Sequence, residues 1–131
     1  MRRSIRSFGL LLALAVAVPL SAAHAHPRLL KATPAADSRV TAVPSQVALT
    51  FNESLDLALT RVTVFRGETP IAVAPLKLLP QDDKTVVADI RTALTPGRYT
   101  VSWQVTGDDG HPVRGEFSFE VVAASSAPAR P

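Results

Sequence analysis

The sequence predicts an all-β domain, a β-sandwich or Greek-key barrel of about seven short strands. Three observations carry that prediction. Runs of alternating apolar and polar residues recur between Val47 and Val121, and a period of two marks a half-buried strand. Turn-forming residues separate these runs at near-regular spacing, as in sandwiches and barrels. The 131 residues include eleven prolines and six glycines among many Val and Thr, a composition of strands and turns. A chain of this length has room for one domain.

The chain opens on Met1-Arg2-Arg3-Ser4-Ile5-Arg6, a positively charged start. Residues 8–20 are apolar or small, and Ser21-Ala22-Ala23-His24-Ala25 follows, with Ala23 and Ala25 in an A-x-A arrangement. This is the three-part layout of a secretory signal peptide, so residues 1–25 are expected to be cleaved off. The alternative is a membrane anchor. The apolar run is shorter than the ~20 residues a spanning helix needs, and Pro19 interrupts it. Cleavage after Ala25 makes His26 the first residue. Cleavage after Ala23 would instead expose His24-Ala25-His26, whose third-place histidine can also hold Cu(II). The better small-residue pair favours the first. No second apolar segment follows, so a soluble periplasmic protein is expected.

Residues 26–122 form the predicted domain. Pro27 and Pro34 exclude a useful helix between them, so that stretch is expected to be extended. Residues 35–44 read as a loop with room for a short strand. Val47, Leu49 and Phe51 alternate with Gln46, Ala48, Thr50 and Asn52 as a first clear strand. Residues 55–59 are a helical turn or a loop. Val62 and Val64 mark a second strand over 61–65, and residues 66–70 a turn. Residues 71–79 are apolar but broken by Pro75, which predicts an edge strand or two short ones.

A polar turn over 80–84 leads to a strand over 85–90. Leu94-Thr95-Pro96-Gly97 places Pro and Gly as a type II turn requires. The cleanest alternation follows over 98–105: Tyr99, Val101, Trp103 and Val105 on one side, Thr100, Ser102 and Gln104 on the other. Phe117, Phe119 and Val121 mark the last strand. The Ala/Ser/Pro tail at 123–131 is expected to be disordered. The predicted core is Val47, Leu49, Phe51, Val62, Val64, Tyr99, Val101, Trp103, Phe117 and Phe119.

Composition excludes several functions. With no cysteine there is no disulfide, no thiolate zinc site and no nucleophilic thiol. The net charge of +3 comes from Arg2, Arg3 and Arg6; without them the basic residues fall from 14 to 11 and equal the 11 acidic ones. The remaining basic residues are scattered, so no nucleic-acid partner is expected.

The chemistry concentrates in Gly107-Asp108-Asp109-Gly110-His111-Pro112. In extended backbone, residues two apart point to the same face, so Asp109 and His111 are expected to converge. Asp108 then faces away, as plain surface charge. An Asp-x-His pair alone also describes an ordinary solvated turn. After cleavage, only two of the three histidines remain, His26 and His111. The α-amine and imidazole of His26, the imidazole of His111 and the carboxylate of Asp109 make a nitrogen and oxygen set, which in tetragonal geometry suits Cu(II).

Several motifs together resemble the CopC-type periplasmic copper-resistance proteins. They are His26-Pro27, Leu49-Thr50-Phe51-Asn52-Glu53, Leu94-Thr95-Pro96-Gly97-Arg98-Tyr99, Val101-Ser102-Trp103-Gln104-Val105, Asp109-Gly110-His111-Pro112-Val113-Arg114-Gly115 and Phe117-Ser118-Phe119. The resemblance implies an Ig-like or cupredoxin-like Greek-key β-sandwich. It implies one Cu(II) per chain in a histidine brace of His26, Asp109 and His111. It also implies that Glu53 lies outside the ligands and hydrogen-bonds near the His26 amine, an orienting role.

Some family members also hold Cu(I) in a methionine-rich loop. Here the only methionine is Met1, so a Cu(II)-only protein is expected. Some relatives are joined to a membrane copper-import domain; here a copper transporter would be a separate partner, and the protein is expected to be a monomer.

Three functions compete. The first is a copper carrier or buffer, not an enzyme. The second is a copper-dependent oxidative enzyme of the histidine-brace type, which oxidant turnover with a reductant would reveal. The third is a metal-free Ig-like interaction module, which copper titration would separate from both.

Overall fold

The computed structural model describes residues 26–124. The expected signal peptide and all but the first two residues of the expected tail lie outside them. The described residues form two facing β-sheets, as predicted. In chain order the strands are β1 (Leu29–Thr33), β2 (Arg39–Val40), β3 (Gln46–Phe51), β4 (Arg61–Arg66), β5 (Thr69–Ile71), β6 (Lys77–Leu79), β7 (Asp82–Asp89), β8 (Gly97–Thr106) and β9 (Pro112–Val121). One sheet has the order β1-β3-β7-β6 and the other β2-β9-β8-β4-β5. The chain crosses between sheets after β1, β2, β3, β5 and β7, so that both inner faces meet in one core.

Each sheet buries the face that its alternation marks. Val47, Leu49 and Phe51 of β3 meet Tyr99, Val101, Trp103 and Val105 of β8, all buried in one cluster with Val62, Val64 and Phe119. The Phe51 and Trp103 rings meet edge to face at 5.0 Å, and Tyr99 stacks on Phe119 at 5.6 Å. Phe117 departs from expectation: it packs against the cluster but is only partly buried. The central strand β7 buries Val86 and Ala88 in that cluster. Val87, which strand alternation turns away from Val86 and Ala88, is buried too, between Ala48 of β3 and Lys77 of β6.

Turn chemistry corrects several boundaries. The β4–β5 turn is only Gly67-Glu68, with Gly67 at φ 60°, so Thr69 and Pro70 belong to an edge strand. The 71–79 stretch resolves into β5 and β6, one in each sheet, with Pro75 in the crossing. Pro80-Gln81 alone makes the next turn, and β7 begins at Asp82. Gly97 takes φ 151° and pairs with Val121 as the first residue of β8. That is far from the ~+80° of a type II turn.

Residues 57–59 form one 3₁₀ turn, started by Asp56, whose side chain accepts the Ala58 N–H at 2.9 Å. The last strand is longer than predicted. β9 starts at Pro112 and pairs with β8 from Gly97↔Val121 to Thr106↔Pro112. Loop 107–111 is therefore the tip of a long hairpin.

Candidate metal centre

Two remote parts of the chain meet at that tip. β1 runs antiparallel to β3, with Leu29 opposite Phe51. This places residues 26–28 beside Asn52 and Glu53, just past the end of β3. Pro27 is buried there, against Gly107 at the start of the hairpin loop. His26 then projects over the loop, its side chain 64 % exposed.

The loop does not bring Asp109 and His111 together by extension. The Gly110 N–H donates to the Gly107 carbonyl at 3.0 Å, and Gly110 lies at φ 75°. A turn is therefore present where extended backbone was expected. Asp109 bends back and its Oδ1 accepts the His111 N–H at 3.0 Å, the local bond that Asp side chains make two residues on. Two glycine-flanked aspartates in a row already carried this turn signal. Asp108 is exposed, as expected, because it occupies the outside of the turn.

Asp109 is the centre of the cluster. Its side chain is only 8 % exposed, and its Oδ2 lies 3.0 Å from His26 Nδ1 and 3.4 Å from His111 Nδ1. The two imidazole rings stand 6.1 Å apart, nearly perpendicular. The His111 N–H holds the Asp109 carboxyl below the usual carboxylate range; burial opposes this, and contacts with the two rings reinforce it. An ionised carboxylate only accepts hydrogen bonds, so the His26 bond requires a proton on Nδ1. A cation arriving here would replace that proton.

Glu53 lies beside the same spot. Its Oε1 is buried and has no hydrogen-bond partner among the described residues. It occupies the space over Gly107: a Cβ there would lie 2.6 Å from Oε1 and 3.0 Å from Pro27 Cγ. A buried carboxylate oxygen without a partner is costly, and a donor or cation at the His26 end would satisfy it.

In this hydrogen-bonded state, no three His, Asp or Glu side chains among the described residues form a ready-made metal cage. The donor atoms nonetheless fit a Cu(II) ion: two imidazoles and a low-pKa carboxylate, nitrogen and oxygen only. His26, Glu53, Asp109 and His111, the residues expected from the sequence, lie together at this end of the sandwich. Asn52, whose side chain accepts the Arg28 N–H at 2.6 Å, and Gly107 carried no expected role. The only signals were their positions beside Glu53 and Asp108.

The fold and this cluster define a small Ig-like β-sandwich with nitrogen and oxygen donors gathered at one end. The CopC domain family matches residues 29–122, a span that includes Glu53, Asp109 and His111 and begins just after His26. The chain belongs to the CopC family of copper-resistance proteins. It is 35% identical over 121 residues to Protein YobA of Escherichia coli strain K12, covering 91% of this chain and 95% of that one. Its fold is similar to CopC from Methylosinus trichosporium OB3b, with a TM-score of 0.70 and 25% identity over 78% of this chain and 99% of that one. It is also similar to PcoC, a methionine-rich copper resistance protein from Escherichia coli. There the TM-score is 0.66, with 30% identity over 75% of this chain and all of that one.

Proposed function

We propose that the mature chain begins at His26 and binds one Cu(II) ion in a histidine brace. The ligands are the α-amine and imidazole of His26, the carboxylate of Asp109 and the imidazole of His111. The protein serves as a periplasmic copper carrier or buffer, with copper as its cargo. The observation that carries this reading is the meeting of His26 and His111 on one carboxylate oxygen, at 3.0 and 3.4 Å. Membership of a copper-resistance family supports it. So does the unpartnered Glu53 Oε1, which would accept a hydrogen bond from the His26 amine and orient it.

The donor set favours Cu(II) over Cu(I). Soft thioethers suit Cu(I), and Met1 is the only methionine. A carrier is favoured over an oxidative enzyme because Trp103 and Tyr99 are both buried, leaving neither ring for a flat polymer surface. Asp109 would also take up a donor position that such an enzyme needs open for oxygen.

The test is Cu(II) titration with electron paramagnetic resonance on two chains. One begins at His26 and the other carries a single extra Gly before it. Tight binding with a nitrogen-rich tetragonal spectrum in the first, and far weaker binding in the second, is the expected result. Equal binding by both would remove the amine from the ligand set.

A further inference from the structure

The segment that carries His26 is held by a side chain outside the proposed ligand set. The strand register between β1 and β3 runs as far as Leu29↔Phe51. Beyond it, Asn52 supplies two further bonds, one from its backbone and one from its side chain. The Arg28 N–H donates to Asn52 Oδ1 at 2.6 Å, and the Asn52 N–H donates to the Arg28 carbonyl at 3.1 Å. These two bonds tie residue 28 from both its polar groups. One residue earlier, Pro27 is buried although His26 and Arg28 on either side are exposed. Proline has no N–H to leave unsatisfied in that position.

Chain ends fray unless they are tied down. Here the tie lies two residues from His26, whose own side chain makes one bond, to Asp109. A terminal chelate that is already held in place loses less freedom on binding. We infer that Asn52 is a positioning residue. Its side-chain bond to the Arg28 N–H, added to the backbone bond that remains in N52A, holds the mature N-terminus where the His26 amine and ring reach the metal bound by Asp109 and His111. This inference rests on the brace reading above. Asn52 lies past the end of β3 and is absent from the core cluster, so its loss leaves the sandwich intact.

The experiment uses Asn52→Ala in two backgrounds, the chain beginning at His26 and the chain with one extra Gly before it. Two quantities are read: amide hydrogen exchange at Arg28 in the metal-free protein, and Cu(II) affinity by competition titration. In N52A, Arg28 exchange should rise roughly tenfold or more while Val101 and Phe119 keep their protection. Cu(II) affinity should fall roughly 10–100-fold in the His26-first chain and stay nearly level in the extended one, where the amine no longer binds.

Unchanged Arg28 exchange overturns the inference. So does unchanged affinity in the His26-first chain, or an equal loss in both backgrounds; each of these leaves the brace itself standing. Equal Cu(II) binding by the two parent chains, measured before any substitution, overturns the brace and the inference together.

Discussion

His26 Nδ1 lies 3.0 Å from Asp109 Oδ2, across 83 residues of chain. That single carboxylate joins the start of the described chain to the tip of the β8–β9 hairpin. The same Oδ2 faces His111 Nδ1, while Oδ1 is held by the His111 backbone. Asp109 therefore orients both rings.

Removing either proposed hairpin ligand should cost binding without costing the fold. Asp109→Ala and His111→Ala each delete a donor on the 107–111 loop, outside the core cluster. Cu(II) affinity should fall by more than the roughly 100-fold upper range seen for outer-shell changes. Far-ultraviolet circular dichroism should stay superimposable on the parent. Unchanged Cu(II) binding in H111A would end the assignment.

Asp109 should also leave a mark on acid stability of the metal-free protein. Its folded pKa is lowered, chiefly by the His111 N–H. As pH falls below about 4, the reference carboxylate range, the unfolded chain takes up the proton first. The stabilising contribution is therefore full above that range and is lost as pH drops through the lowered folded value. Asp109→Asn keeps an oxygen for the His111 N–H but does not titrate. Melting temperatures between about pH 5 and pH 2 should fall more steeply in the parent than in D109N; parallel curves would contradict the account.

Gly115 makes room for an indole. It pairs directly across from Trp103, and a Cβ there would lie 2.3 Å from Trp103 Cζ2. Gly115→Ala should overpack the core and destabilise by about 1–3 kcal/mol. Denaturant unfolding should show a lower midpoint with the slope unchanged. A midpoint equal to the parent's would mean that the indole can move aside freely.

The far end of the sandwich should be independent of copper. The buried Tyr99 hydroxyl donates to the Thr95 carbonyl at 2.7 Å and accepts the Thr95 N–H at 3.1 Å and Arg66 Nη1 at 3.1 Å. This is a tyrosine corner, which ties a strand to the loop before it. Tyr99→Phe removes all three bonds of the corner and should cost about 1–3 kcal/mol. Cu(II) affinity should not change, because the corner lies at the opposite end of β8 from Thr106 and the loop. A shifted affinity would reveal coupling along the hairpin.

The sequence by itself determined which residues of each long strand face inward. Alternation is a local property of extended chain: Val47, Leu49 and Phe51, or Tyr99, Val101 and Trp103, share a side whatever they later pair with. It also determined the kinds of donor atom available, since residue type alone supplies imidazole and carboxylate and rules out thiolate. Burial of Val87 was not legible, because it depends on which strands flank β7. Nor was the partial exposure of Phe117, which depends on how far the opposite sheet extends over β9. The bend that turns Asp109 onto the His111 N–H was only partly legible, in Gly107 and Gly110; strict alternation misread it as extended chain.

Only the tertiary structure decided that His26 and Asp109 share one place. That meeting requires β1 to pair with β3 and the β8–β9 hairpin to end at the same edge, with Pro27 and Glu53 fitted over Gly107. Such contacts join residues far apart in the chain. They are set by packing and closure of the whole sandwich, and no local pattern encodes them.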